Sequence, residues 1–129
     1  MTVLQLGDIT VQRIVEHEIP VYAPADFFAE ATAAAVEPYR EWLEPKALCP
    51  RTGLMIMPVV SYLVRTRHHC ILIDTCVGCH KTYAEPPQWH QRGNAVWLSN
   101  LKAAGAHPED IDYVFCTHLH SDHCGWNTQ

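Results

Sequence analysis

Apolar and polar residues alternate at the start of the chain, from Val3 to Leu6 and again from Ile9 to Val15, with Gly7-Asp8 between the runs. Period-two alternation around a Gly-containing turn predicts a β-hairpin. The pattern then changes character. Asp26 stands where it can cap a helix through Phe27, Phe28, Ala31 and the run Ala33 to Ala35, with Pro38 interrupting it. Tyr39 to Leu43 predicts a second short helix before Pro45, and Cys49-Pro50-Arg51-Thr52-Gly53 reads as a turn.

Strand patterning returns at Leu54 to Met57 and at Ser61 to Arg65. After a tight Arg67-His68-His69 link, Ile71 to Asp74 is a short unalternated run, the mark of a strand buried on both faces. Residues 77–93 read as loop, with Pro86, Pro87, Trp89 and His90 in it. Asn94 can cap a helix to Ala104, whose Trp97, Leu98, Leu101 and Ala104 share one face, and Gly105 stops it. Pro108-Glu109-Asp110 is a turn. Ile111 to Cys116 is a strand expected to be buried, with Ile111, Tyr113 and Phe115 on one face and Val114 and Cys116 on the other. The order strand, helix, strand from residue 71 to 116 predicts a β-α-β unit with parallel strands. Functional residues belong just past the C-terminal ends of such strands, here Asp74-Thr75 and Thr117-His118.

Composition narrows the class. The 129 residues are 48% hydrophobic and 18% charged, a globular balance that suits one domain. Nine Lys and Arg against 14 Asp and Glu leave a formal charge of −5, which argues against nucleic acid or an anionic membrane as partner. The longest apolar run, Leu54 to Val60, contains Pro58 and falls far short of the roughly 20 residues of a membrane helix. The N-terminus carries no secretory pattern, so the expected location is cytoplasmic and the six cysteines are expected to be reduced thiols.

The chemistry concentrates in His118-Leu119-His120-Ser121-Asp122-His123. Residues i and i+2 of an extended segment point the same way, so His118 and His120 can hold one divalent ion. Asp122 and His123 are adjacent and suit a second ion close by. Two such ions can share a water and lower its pKa toward neutrality, supplying hydroxide for hydrolysis. Such a cluster arises by chance about 0.002 times in a chain of this composition, which makes it a specific signal.

This pattern resembles the signature of the metallo-β-lactamase fold superfamily. Ile71-Leu72-Ile73-Asp74-Thr75-Cys76-Val77-Gly78 is similar to the family's strand and Asp-Thr-Gly-type loop, and Gly105 to Val114 to its approach to the metal strand. Gly125-Trp126-Asn127-Thr128 and Trp89-His90 resemble a branch with lactonase-like and organophosphate-hydrolase-like members. The resemblance implies an α/β (α+β) fold, the N-terminal half of an αββα sandwich, with residues 1–129 as the N-terminal portion of that domain. It implies two divalent metal ions, zinc by preference, since histidine stands at 120 where iron-dependent redox members carry Glu. His118 and His120 would ligate the first ion, and Asp122 and His123 the second. Asp122 would also act in catalysis by orienting hydroxide or taking a proton, and Asp74 would hold a ligand imidazole from behind. The substrate would be a small ester, lactone or phosphoester.

The family's later ligands are missing, because no His, Asp, Glu or Cys follows Cys124. The expectation is therefore a fragment, inactive alone, that can self-associate through an uncovered sheet face. The alternative is a non-catalytic zinc-binding or interaction fragment. Two other patterns compete: Cys76-Val77-Gly78-Cys79-His80 matches covalent haem attachment or a redox pair. Cys116, His118, His123 and Cys124 could form one structural Cys₂His₂ site. His80 and His90 can line a pocket mouth, and Trp89 and Trp126 can wall it or pack on the helix. His17 and His107 carry no sequence signal.

Overall fold

A computed structural model describes residues 3–93 and 95–128. Asn94, the expected helix cap, lies outside the described residues. The chain divides into two compact units, Met1–His17 with Val59–Gln129, and Glu18–Pro58. Among the described residues, no helix is long and apolar enough to cross a membrane.

The strands form one five-stranded sheet in the order β1-β2-β3-β4-β5: β1 Val3–Leu6, β2 Ile9–Tyr22, β3 Met55–Arg65, β4 Cys70–Ile73 and β5 Tyr113–Phe115. The first hairpin forms as the alternation predicts, with Leu6 opposite Ile9 and Gly7 at φ +61. The strand after it continues to Tyr22, beyond the expected Val15. The two strands expected at 54–57 and 61–65 are one continuous β3. Pro58 does not break it, because a strand proline removes a single ladder donor. Along β3, Val59, Ser61 and Leu63 are buried while Tyr62 between them is exposed, the period of two that the sheet demands.

In the first unit, β3 and β4 pair antiparallel around the Arg67-His68-His69 link. β4 and β5 pair parallel, Ile71 to Tyr113 and Ile73 to Phe115, and the crossover carries helix α4, Val96–Ala103, defining the β-α-β unit. The apolar stripe of α4 does what its spacing predicts: Trp97 and Leu101 are buried in a core with Ile14, Val59, Leu63, Leu72 and Val77. Removing each such side chain from water contributes about 1.5–3 kcal/mol. Gly105 ends the helix at φ +79, and the Arg65 guanidinium donates to Ala104 O at 2.8 Å, satisfying a terminal carbonyl.

Two burial expectations fail here. In β4 only Leu72 is fully buried. β5 is exposed throughout, with Tyr113 at 50%, Val114 at 47% and Phe115 at 56%. β5 ends the sheet order and is shorter than the expected 111–116. The core under α4 reaches Leu72 and includes none of the β5 residues.

The second unit holds the short helices α1 Pro24–Phe27, α2 Ala33–Val36 and α3 Arg40–Leu43, with a 3₁₀ turn at Glu37–Tyr39. The expected single helix capped by Asp26 is not formed. Pro24 opens α1 after Ala23, Asp26 lies in its first turn, and Thr32 caps α2 by accepting from Ala35 N. The Cys49–Gly53 turn closes with Gly53 N–H donating to Cys49 O at 2.8 Å, Gly53 taking φ +69.

Candidate metal centre

The site is built where β4 and β5 end side by side. Asp74 N–H donates to Phe115 O at 2.8 Å, and the residue turns out of the strand at φ +60. That turn aims its carboxylate across at the β5 exit. Oδ1 accepts the Thr117 N–H at 2.7 Å, the Thr117 hydroxyl stands 3.0 and 2.9 Å from the two oxygens, and His123 Nδ1 lies 2.8 Å from Oδ2. Burial pushes the Asp74 carboxyl up, but the hydrogen bonds from His123 and Thr117 outweigh it and hold the group below the ordinary carboxylate range. Asp74 is therefore a buried anion that orients the residues leaving β5.

The segment beyond β5 is fixed by the loop after β4. Helix α5, Ser121–Cys124, is a single turn beginning at His120, with His123 N–H donating to His120 O. Thr75 N–H donates to His123 O at 2.8 Å, Gly125 N–H to Cys76 O at 2.7 Å, and Trp126 N–H to Thr75 O at 2.9 Å. Gly125 is obligatory, because a Cβ there would stand 1.9 Å from Val77 O. From β2, the buried Glu16 accepts from Val77 N at 3.1 Å, Gly78 N at 3.2 Å and Trp126 Nε1 at 2.8 Å. One carboxylate thus ties both loops together.

These contacts gather the imidazoles. The ring centroids of His118 and His123 are 3.9 Å apart, and those of His118 and His120 are 4.6 Å apart. His123 Nε2 lies 3.5 Å from Asp122 Oδ2. His118 and His120 are exposed, whereas Asp122 and His123 are half-buried. Among the described residues, no group of three or more His, Cys, Asp or Glu is already arranged as a ligand cage. The donor chemistry suits a divalent ion nonetheless: three adjacent imidazoles and a carboxylate, with His123 held through Nδ1 so that its other nitrogen faces Asp122.

Glu16 and His17 carry no readable sequence signal, and Gly125 and Thr117 show only as a motif position and a strand-end residue. Glu16 and Gly125 act through partners distant in sequence. His17 lies on β2 with both ring nitrogens buried and no hydrogen-bond partner among the described residues. Burial first, and then Arg92, drive its pKa down to about 4 against the opposing pull of Asp122, so it is neutral at neutral pH.

The cysteines of the competing patterns make other contacts. Cys76 is fully buried, and its Sγ is 3.2 Å from Ser61 Oγ, which accepts from Trp97 Nε1 at 2.9 Å. Burial pushes that thiol up to about 12, which disfavours the thiolate that redox chemistry requires. Cys124 Sγ donates to His120 O and Cys116 Sγ accepts from Asn127 Nδ2, so the two thiols serve different partners. His80 lines a cavity of about 460 Å³ with Lys81, Leu98 and Trp126. His90 Nδ1 sits 2.9 Å from Tyr83 O, a local contact, and Trp89 meets Tyr83 edge-on. Trp126 stacks on Trp97 with centroids 5.3 Å apart.

The metallo-beta-lactamase superfamily profile matches residues 55–129, and the chain belongs to that superfamily. It is 35% identical over 87 residues to an N-acyl homoserine lactonase of Bacillus cereus, covering 58% of this chain and 34% of that protein. It is 28% identical over 95 residues to the N-acyl homoserine lactonase AiiB of Agrobacterium fabrum, covering 65% of this chain and again 34% of the relative. The chain thus spans about a third of the length of these curated relatives. Among solved structures it resembles AidC, described as a dizinc quorum-quenching lactonase, with a TM-score of 0.71 at 21% identity, over 96% of this chain and 37% of AidC. It also resembles AbOPH, a hydrolase of the beta-lactamase superfamily, with a TM-score of 0.69 at 25% identity, over 95% and 38%. These likenesses establish the mixed α/β fold of the sheet and its helices.

Proposed function

We propose that this chain carries the first metal-binding segment of a zinc-dependent hydrolase that opens lactones. The single observation behind the reading is the Asp74 carboxylate, which holds Thr117 and His123 at the exit of β5 and so brings His118, His120 and His123 together. His118 and His120 would serve one ion, Asp122 and His123 a second, and Asp122 would orient the attacking water. When bound, zinc supplies Lewis acidity that polarises a carbonyl and makes water acidic near neutral pH. The protein residues fix the direction of the imidazoles and hold the carboxylate beside them. The lactonase relatives support a lactone in place of a phosphotriester.

The chain is proposed to bind zinc without robust turnover, because His118 and His120 give the first ion two protein ligands where a catalytic zinc takes three. Competition for zinc against a chromophoric chelator tests the centre: uptake by the native chain is expected, with loss in His118→Ala and His123→Ala. Absence of uptake in the native chain overturns the metal reading. Proton release from an acyl lactone, run beside a phosphotriester, tests the substrate class in any longer form that turns over. Faster cleavage of the phosphotriester would favour that substrate instead.

A further inference from the structure

Resting on the proposed metal centre, we propose that Thr117 is a positioning residue: its hydroxyl relays the Asp74 carboxylate to His118 and fixes the ring with the proton on Nδ1. The number of protons available fixes the direction of each bond. The Asp74 carboxylate accepts from the Thr117 N–H at 2.7 Å and lies 2.9–3.0 Å from the Thr117 hydroxyl oxygen. The same hydroxyl oxygen is 3.1 Å from His118 Nδ1. An ionised carboxylate has no proton to give, and a hydroxyl has one. If the hydroxyl donated to His118, its lone pairs would face both carboxylate oxygens at hydrogen-bond distance with no proton between them. The hydroxyl therefore donates to Asp74, and one of its two lone pairs accepts from His118.

In its neutral form His118 then carries the proton on Nδ1 and presents a bare Nε2. His123 reaches the same state directly, since its Nδ1 is 2.8 Å from Asp74 Oδ2 and a longer 3.4 Å from the Thr117 hydroxyl. One carboxylate sets two tautomers, one by contact and one through a side-chain hydroxyl. Both rings then offer a neutral nitrogen of the same kind, which is the form a divalent ion requires. Nothing in the sequence marks Thr117 for this role, because a threonine after a strand is ordinary.

The test uses the whole chain labelled with ¹⁵N histidine and reads tautomers by long-range proton–nitrogen correlation without metal, at mildly alkaline pH. The native chain is expected to show His118 protonated on Nδ1. Thr117→Ser, which keeps the hydroxyl, is expected to preserve that state. Thr117→Val, which keeps the shape and loses the hydroxyl, is expected to give a mixture of tautomers at His118 while His123 stays unchanged. A native His118 protonated on Nε2 overturns the relay whether or not the variants fold, and so does an unaltered His118 in Thr117→Val. In the chelator competition, Thr117→Val is expected to bind zinc about ten- to a hundredfold more weakly and Thr117→Ser within a few-fold of the native chain. Equal affinity in Thr117→Val overturns the consequence for the metal. A native chain that takes up no zinc overturns the proposed function, and the metal-free tautomers still decide the relay.

Discussion

Asp74 shows how much one buried side chain decides. Its carboxyl is held ionised by donors from Thr117 and His123, so its folded pKa lies below its unfolded value. A depressed acid contributes stability above its unfolded pKa and loses that contribution as pH falls through the folded one. The native chain is therefore expected to lose stability on acidification below about pH 4, read as urea midpoints across pH. Asp74→Asn should flatten that slope and cost about 2 kcal/mol at neutral pH, the size of a charged hydrogen bond. A slope unaltered in Asp74→Asn would contradict this. The cysteines give a second residue-scale expectation. The Thr52 hydroxyl and the backbone amides of Arg51 and Thr52 hold the Cys49 thiol below its ordinary range, whereas burial pushes Cys76 far above it. Timed alkylation followed by peptide mass spectrometry should modify Cys49 early and leave Cys76 unmodified until the chain unfolds.

At the scale of elements, α4 and the Gly125 turn carry the clearest consequences. Leu101→Ala empties a fully buried position and is expected to cost about 2–5 kcal/mol in denaturant unfolding, against a smaller loss for the half-buried Leu98. Gly125→Ala sets a methyl against Val77 O and must displace the segment that carries His123; its zinc uptake should fall even where circular dichroism still reports a folded sheet. The elements legible in the sequence are those whose signal is local. The 3–15 hairpin, the α4 stripe and the parallel pair of strands show in patterning, and His118, His120, Asp122 and His123 stand close in the chain. The elements that patterning misses are those where distant contacts decide. Asp26 is a good cap by type, but Pro24 starts the helix earlier and Thr32 starts the next one. The run at β5 reads as buried because Val, Phe and Tyr are strand formers, and composition cannot say whether a layer covers them. Glu16 is unreadable as a clamp because its donors are more than 60 positions away.

For the molecule as a whole, the exposed β5 edge matters most. Tyr113, Val114, Phe115 and Leu119 present apolar surface at the strand that ends the sheet order, a combination that invites association. The 129-residue chain is expected to self-associate with rising concentration in sedimentation velocity, and Phe115→Lys should shift it toward monomer; a native chain that stays monomeric throughout would contradict this. The Glu16 clamp acts over the longest span. Its indole donor lies 110 residues further along. Closing so long a loop from an unfolded chain costs about 4 kcal/mol beyond a constant, more than the roughly 1.5–3 kcal/mol that a hydrogen bond to a charged group returns. The bond forms at a net gain only after the sheet has brought its two ends near. The histidine-bearing turn is therefore expected to dock after the sheet has formed, and to loosen early when the chain is warmed.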